Sequence, residues 1–142
     1  MHPTQALSVQ RLQLPRYEDE RGTLSVVEEN NNVPFAIHRI FWISDVPSHM
    51  CRGGHAHWSC HEALFAISGH FEISIDEGDG FKDYHVASGG MGIVVPAGSW
   101  CVLRNFSSDA VCLVLASETY DTTGYCHDYD EWRSKFKETA SI

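Results

Sequence analysis

Between Arg52 and His57 the chain reads Arg-Gly-Gly-His-Ala-His, placing two imidazoles two residues apart and close to a guanidinium. On an extended strand alternate side chains share a face, so His55 and His57 point the same way with Cα atoms about 6–7 Å apart. Two imidazoles turned into one cavity can serve as metal ligands or as an acid/base pair. Their ordinary pKa of about 6.5 suits proton transfer near neutrality. Arg52 holds a fixed charge and forks naturally onto diphosphate or sugar oxygens, or onto a surface carboxylate. Arg104 alternates with Val102 and shares a face with Trp100, which makes it a second cationic candidate. Arg39 sits in a mostly apolar stretch and needs a partner if it points inward.

The elements that must carry these groups are short strands between turn signals. Thr23–Glu28 follows the Gly22 turn, and Phe35–Ser44 is apolar enough for a strand buried on both faces. His61–Ser68 precedes a Ser68-Gly69 turn. In His70–Asp76 the residues Phe71, Ile73 and Ile75 fall on one face, with polar residues on the other. Further strands are expected near Tyr84–Val86, Gly92–Val95, Cys101–Phe106 and Val111–Ser117. Such spacing predicts an all-β sandwich or barrel, of jelly-roll type. Residues 127–138 predict one short C-terminal helix, with Trp132 and Phe136 four apart on one face. The whole chain, 1–142, reads as one domain, with residues 1–20 as an N-terminal arm toward a partner.

Composition narrows the function. Ten Lys+Arg against nineteen Asp+Glu give a formal charge of −9, which argues against general nucleic-acid binding and against docking on an anionic membrane. A small phosphorylated ligand is compatible if a few arginines converge locally. No apolar run has the length of a membrane span, and residues 1–20 lack the order of a signal peptide. Five cysteines without CxxC spacing suggest neither a disulfide framework nor a zinc ribbon, and point to a reducing cytoplasm.

Two longer spacings carry a resemblance. His55-x-His57-x4-Glu62-x6-Gly69 and Gly90-x5-Pro96-x-Gly98-x2-Cys101-x3-Asn105 resemble the paired motifs of the cupin superfamily. Cys101 stands where a metal-binding cupin has its last histidine, and His49 stands where the first motif has a glycine. Across most of the chain, Arg21–Leu24, Arg52–His57, Asn105–Ser108, Leu115–Ser117, Tyr120-Asp121 and Asp128–Asp130 are similar to segments of the WxcM-like cupins. That resemblance implies a single cupin-type jelly roll that forms a homodimer and needs neither metal nor cofactor. The implied activity is 3,4-ketoisomerisation of a dTDP-4-keto-6-deoxyhexose, a step of deoxysugar biosynthesis for surface glycans. It further implies His55 as the carbon base and His57 as the oxygen shuttle. Arg52, Arg39, Trp42, Glu62, Trp100, Cys101 and Arg104 would then bind substrate, Trp42 through its indole N–H or by stacking. Family members carry a histidine at the place of Cys101 and a tyrosine near Phe41-Trp42, so a phenolic hydroxyl is missing there. Two other readings stay open. One is a non-catalytic cupin that binds a nucleotide sugar. The other is a metal-dependent cupin enzyme using His55, His57, Glu62 and Cys101, with the thiolate favouring zinc. His127, like His38, His49, His70 and His85, belongs to no evident constellation.

Overall fold

A computed structural model describes residues 7–140, with side chains up to Lys135. Twelve strands follow in order: β1 (Gln10–Gln13), β2 (Arg16–Asp19), β3 (Gly22–Ser25), β4 (Arg39–Ser44), β5 (Arg52–His57) and β6 (Glu62–Ser68). Then come β7 (His70–Asp76), β8 (Phe81–Ala87), β9 (Met91–Val95), β10 (Trp100–Arg104), β11 (Val111–Ala116) and β12 (Tyr125–Cys126). A short 3-10 turn (Thr122–Gly124) precedes β12, and one α-helix, α1 (Tyr129–Ala140), closes the series. Two five-stranded sheets form, in the orders β1-β9-β6-β11-β4 and β12-β5-β10-β7-β8, with β2 and β3 making a separate hairpin. Every ladder pair between these strands is antiparallel. The all-β jelly roll with one C-terminal helix is therefore the fold.

Alternation along the strands decides where the core lies. Phe71, Ile73 and Ile75 of β7 meet Leu64 and Ala66 of β6, Cys101 and Leu103 of β10, and Val114 of β11 between the sheets. The opposite face of the first sheet has its own core, in which Ala63, Phe65, Val94 and Leu115 are covered by Val33 and Phe35. This corrects one expectation. Within Phe35–Ser44 only Arg39–Ser44 is a strand, because the apolar residues before it fold over the sheet instead of pairing in it. Within the expected arm 1–20, Gln10–Gln13 pairs with β9 of its own chain.

On the outer face of the second sheet a third cluster joins Ala56, Trp100 and Cys126 to Trp132 of the helix. Asp128 begins the helix by accepting from the Glu131 backbone N–H at 3.0 Å, and Asp130 and Glu131 suit the positive end of its dipole. Trp132 is fully buried and its indole N–H donates to the Gly98 carbonyl at 2.8 Å. Removing such a ring costs about 3–5 kcal/mol, so Trp132 is a main anchor of the helix. Its expected companion, the Phe136 side chain, lies outside the described residues. Tyr129 donates to the fully buried Asp76 at 2.6 Å. Burial alone would raise the Asp76 carboxyl. Hydrogen bonds from Tyr129, Gly78 and Gly80, with the nearby Arg133 guanidinium, outweigh that and hold it below the usual range. Among the described residues no helix is long and apolar enough to cross a membrane.

Candidate active site

Arg52 and His55 are three residues apart, an odd spacing that a regular strand would send to opposite faces. Strand β5 removes the conflict with a bulge. Cys101 of β10 lies opposite His55 and Val102 lies opposite Gly53, which leaves Gly54 as the extra residue. Gly53 and Gly54 both take the left-handed region, at φ +85° and +71°, which side-chain-bearing residues enter only at a cost. A Cβ on Gly53 would also stand 3.0 Å from the Cys101 carbonyl oxygen. The bulge returns Arg52 to the register of Leu103, on the inner face with His55 and His57.

These residues open on one cavity of about 170 Å³. Its floor and walls are Phe41, Ile43, Leu64, Leu103 and Val114, with Cys101 and Glu62 deeper and Tyr125 at one side. The His55 and His57 rings meet edge to face, with centroids 4.8 Å apart. Glu62 Oε1 approaches His57 Nε2 to 3.4 Å, with both side chains 7% exposed. That approach lies outside hydrogen-bond geometry, so the buried Nε2 has no hydrogen-bond partner of its own. Burial, then the neighbouring His57, pushes the His55 imidazole down to about 4; His127 adds to this and Glu62 opposes it. His55 is therefore neutral across the physiological range and can accept a proton.

Glu62, His55 and His57 hold donor atoms within 4.8 Å of one another, a trio with the right chemistry for a divalent cation. Cys101 does not join that trio, and the four-donor set is corrected here. Its thiol is fully enclosed, and burial followed by the Glu62 charge raises it well above the ordinary range, which disfavours a thiolate ligand.

Three further expectations change. Trp100 faces away from the cavity, packed on Tyr129 and Trp132. Arg104 shares that outer face, opposite Glu72, so alternation paired the two correctly but on the wrong side of the sheet. Trp42 is 67% exposed on the outer side of β4, and lines a neighbouring groove of about 440 Å³ that also touches Arg52. Arg39 points inward: its Nη2 donates to the Tyr125 hydroxyl at 3.4 Å and its guanidinium lies over Phe41 and Tyr120, at 5.1 and 5.5 Å.

Tyr125 and His127 were not expected here. Strand β12 pairs Tyr125 with His57, so the phenol ring leans on that imidazole at 4.3 Å and on His55 at 5.2 Å. His127 stacks flat on Tyr125 and reaches within 5.8 Å of His55. The signal was a second aromatic pair at period two, Tyr125-x-His127. A two-residue strand is too short for alternation to announce it.

A jelly roll with paired imidazoles in its mouth defines a cupin-type protein. Residues 8–137 match the FdtA family, described as WxcM-like, C-terminal, and the chain belongs to that family. A curated relative, TDP-4-oxo-6-deoxy-alpha-D-glucose-3,4-oxoisomerase of Aneurinibacillus thermoaerophilus, is 36% identical over 115 residues, which cover 81% of this chain and 83% of that protein. A sugar 3,4-ketoisomerase from Thermoanaerobacterium thermosaccharolyticum, solved in complex with TDP, superposes with a TM-score of 0.89 at 29% identity, covering 92% and 96% of the two chains. A 3,4-ketoisomerase from Helicobacter canadensis gives a TM-score of 0.89 at 32% identity, covering 92% and 98%.

Proposed function

We propose that the protein is a sugar-nucleotide 3,4-ketoisomerase that converts a TDP-linked 4-keto-6-deoxyhexose to its 3-keto isomer in deoxysugar biosynthesis. Two imidazoles in contact within one cavity support this reading most strongly. Moving the ketone requires loss of the C3 proton, an enediolate, and return of a proton to C4. His55, neutral at working pH, takes the C3 proton and later returns it to C4. His57 carries the oxygen-bound proton from O3 to O4. Glu62, 3.4 Å from His57, compensates the positive charge that forms while a proton rests on an imidazole. The apolar walls lower the local dielectric and strengthen these interactions. At the rim Arg52 takes sugar or diphosphate oxygens, and the adjoining groove that Trp42 lines leaves room for the nucleotide.

The protein acts as a homodimer in the cytoplasm on this reading. Ile40, Ile67 and Leu24 are large apolar residues left exposed, as a self-complementary interface needs, and all five cysteines are free.

The test is incubation with freshly made TDP-4-keto-6-deoxyglucose, followed by NMR for the 3-keto product. His55→Asn and His57→Asn are run alongside. Turnover at the wild-type rate by the double variant removes both histidines from the mechanism. TDP binding without conversion supports a non-catalytic binding protein instead. The donor trio gives the metal-dependent reading its own check: activity lost on chelation and regained with a divalent cation would establish it.

A further inference from the structure

An enediolate needs a hydrogen-bond donor at the oxygen where charge develops, and the cavity offers few. His55 and His57 are occupied with protons in transit, Glu62 only accepts when ionised, and Arg52 stands exposed at the rim. The facing aromatic of β4 is Phe41, which has no hydroxyl. Among the described residues lining the cavity, Tyr125 carries the sole O–H.

Its orientation is constrained from behind. Strand β12 is the edge of one sheet and β4 the edge of the other, so the Arg39–Tyr125 contact spans the gap between the sheets at the cavity mouth. Arginine only donates, so the phenolic oxygen accepts from Arg39 Nη2 and its own hydrogen is left to point elsewhere. Phe41 and Tyr120 hold the guanidinium on both sides. No carboxylate lies within ion-pair distance of Arg39 among the described residues. On its other side the phenol ring is fixed by His127, stacked within 2° of parallel.

We infer that Tyr125 is a catalytic residue whose hydroxyl donates a hydrogen bond to the developing O4 oxyanion, and that Arg39 is a positioning residue acting through it. The inference rests on the ketoisomerase reading. As His55 takes the C3 hydrogen as a proton, the C3–H pair becomes the C3=C4 bond and the carbonyl π pair moves to O4, where Tyr125 meets it. Transfer of the O3 proton to O4 through His57, re-formation of a carbonyl at C3 and protonation of C4 by His55 complete a reaction with no net gain or loss of electrons.

The experiment compares wild type, Tyr125→Phe, Arg39→Gln and the double variant by NMR turnover, with TDP affinity measured by calorimetry. Removing one oxyanion donor costs about 10²–10³ in kcat. Tyr125→Phe is expected to show that loss with KM and TDP affinity little changed. Arg39→Gln should lower kcat in the wild-type background and add almost nothing in the Tyr125→Phe background. Wild-type turnover with Tyr125→Phe near wild-type rate overturns the donor role alone, and additive losses overturn the coupling to Arg39. A wild type that converts no keto sugar overturns the ketoisomerase reading and this inference with it. Incorporation of a fluorinated tyrosine at position 125 keeps the side-chain shape and covers a folding failure. A fluorinated phenol is a stronger donor of the same shape, so kcat at a fixed neutral pH must change with ring fluorination, and an unchanged kcat refutes the role.

Discussion

Acidification separates a partly buried His55 from an ordinary histidine. With its imidazole pushed down to about 4, about nine-tenths of His55 is neutral at pH 5, whereas a histidine at about 6.5 would be only about 3% neutral there. A base must be unprotonated, so kcat/KM should stay nearly flat from pH 8 to pH 5 and fall tenfold per pH unit below about 4. The two alternatives differ about thirty-fold at pH 5, well outside assay error. Stability carries the same signature. The unfolded chain binds a proton below about 6.5 that the folded chain refuses until about 4, so stability present above pH 6.5 is lost progressively across that window. At about 1.4 kcal/mol per pH unit the ceiling is about 3 kcal/mol. His55 is only half-buried, and solvent screening brings the expectation to about 1–2 kcal/mol. Urea unfolding of wild type and His55→Asn at pH 7 and pH 4.5 measures it: the variant should lose less on acidification by that amount. A kcat/KM limb near pH 6.5, with equal acid losses for the two proteins, refutes the burial argument.

Asp76→Ala removes the acceptor for Tyr129, Gly78 and Gly80, and should lower stability by about 3 kcal/mol with early loss of helical circular dichroism; an unchanged urea midpoint would contradict the anchoring role. Gly53→Ala should cost more stability and far more activity than Gly54→Ala, since a Cβ at 53 meets the Cys101 carbonyl and one at 54 meets nothing within 4 Å. Both carry about 1–2 kcal/mol of left-handed strain, so equal effects in denaturation and turnover would mean the bulge does not set the site. Ile40→Glu places a charge on an exposed apolar position of β4 and should shift the sedimentation profile from dimer to monomer; an unaltered dimer would place the interface elsewhere.

Period-two alternation made β7 readable residue by residue, because one of its faces is wholly apolar and the other polar. The His-Ala-His stretch was readable for the same reason. Alternation reports which residues share a face and not which face meets the cavity. Trp100 and Arg104 were accordingly grouped correctly and assigned to the wrong side. Burial without pairing defeated the reading of 35–38, since an apolar segment draped over a sheet has the composition of a strand within one. Tyr125 and His127 escaped because β12 contributes only two residues, and its place beside β5 depends on contacts from distant parts of the chain.

The wall formed by Tyr125 is attached from behind. Its strand holds β5 through two residue pairs, while Trp132 and Tyr129 fasten the following helix to Gly98 and Asp76 on the reverse of the same sheet. Strand β5 keeps its ladder to β10 on its other side, so both imidazoles belong to the body of the sheet and the wall beside them belongs to the tail. Local opening of residues 125–132 would expose the proton carriers to bulk water while leaving the β5–β10 ladder in place. Competence thus depends on how firmly the tail is held, since the anchors at Gly98 and Asp76 govern a wall of the cavity from the far side of the sheet.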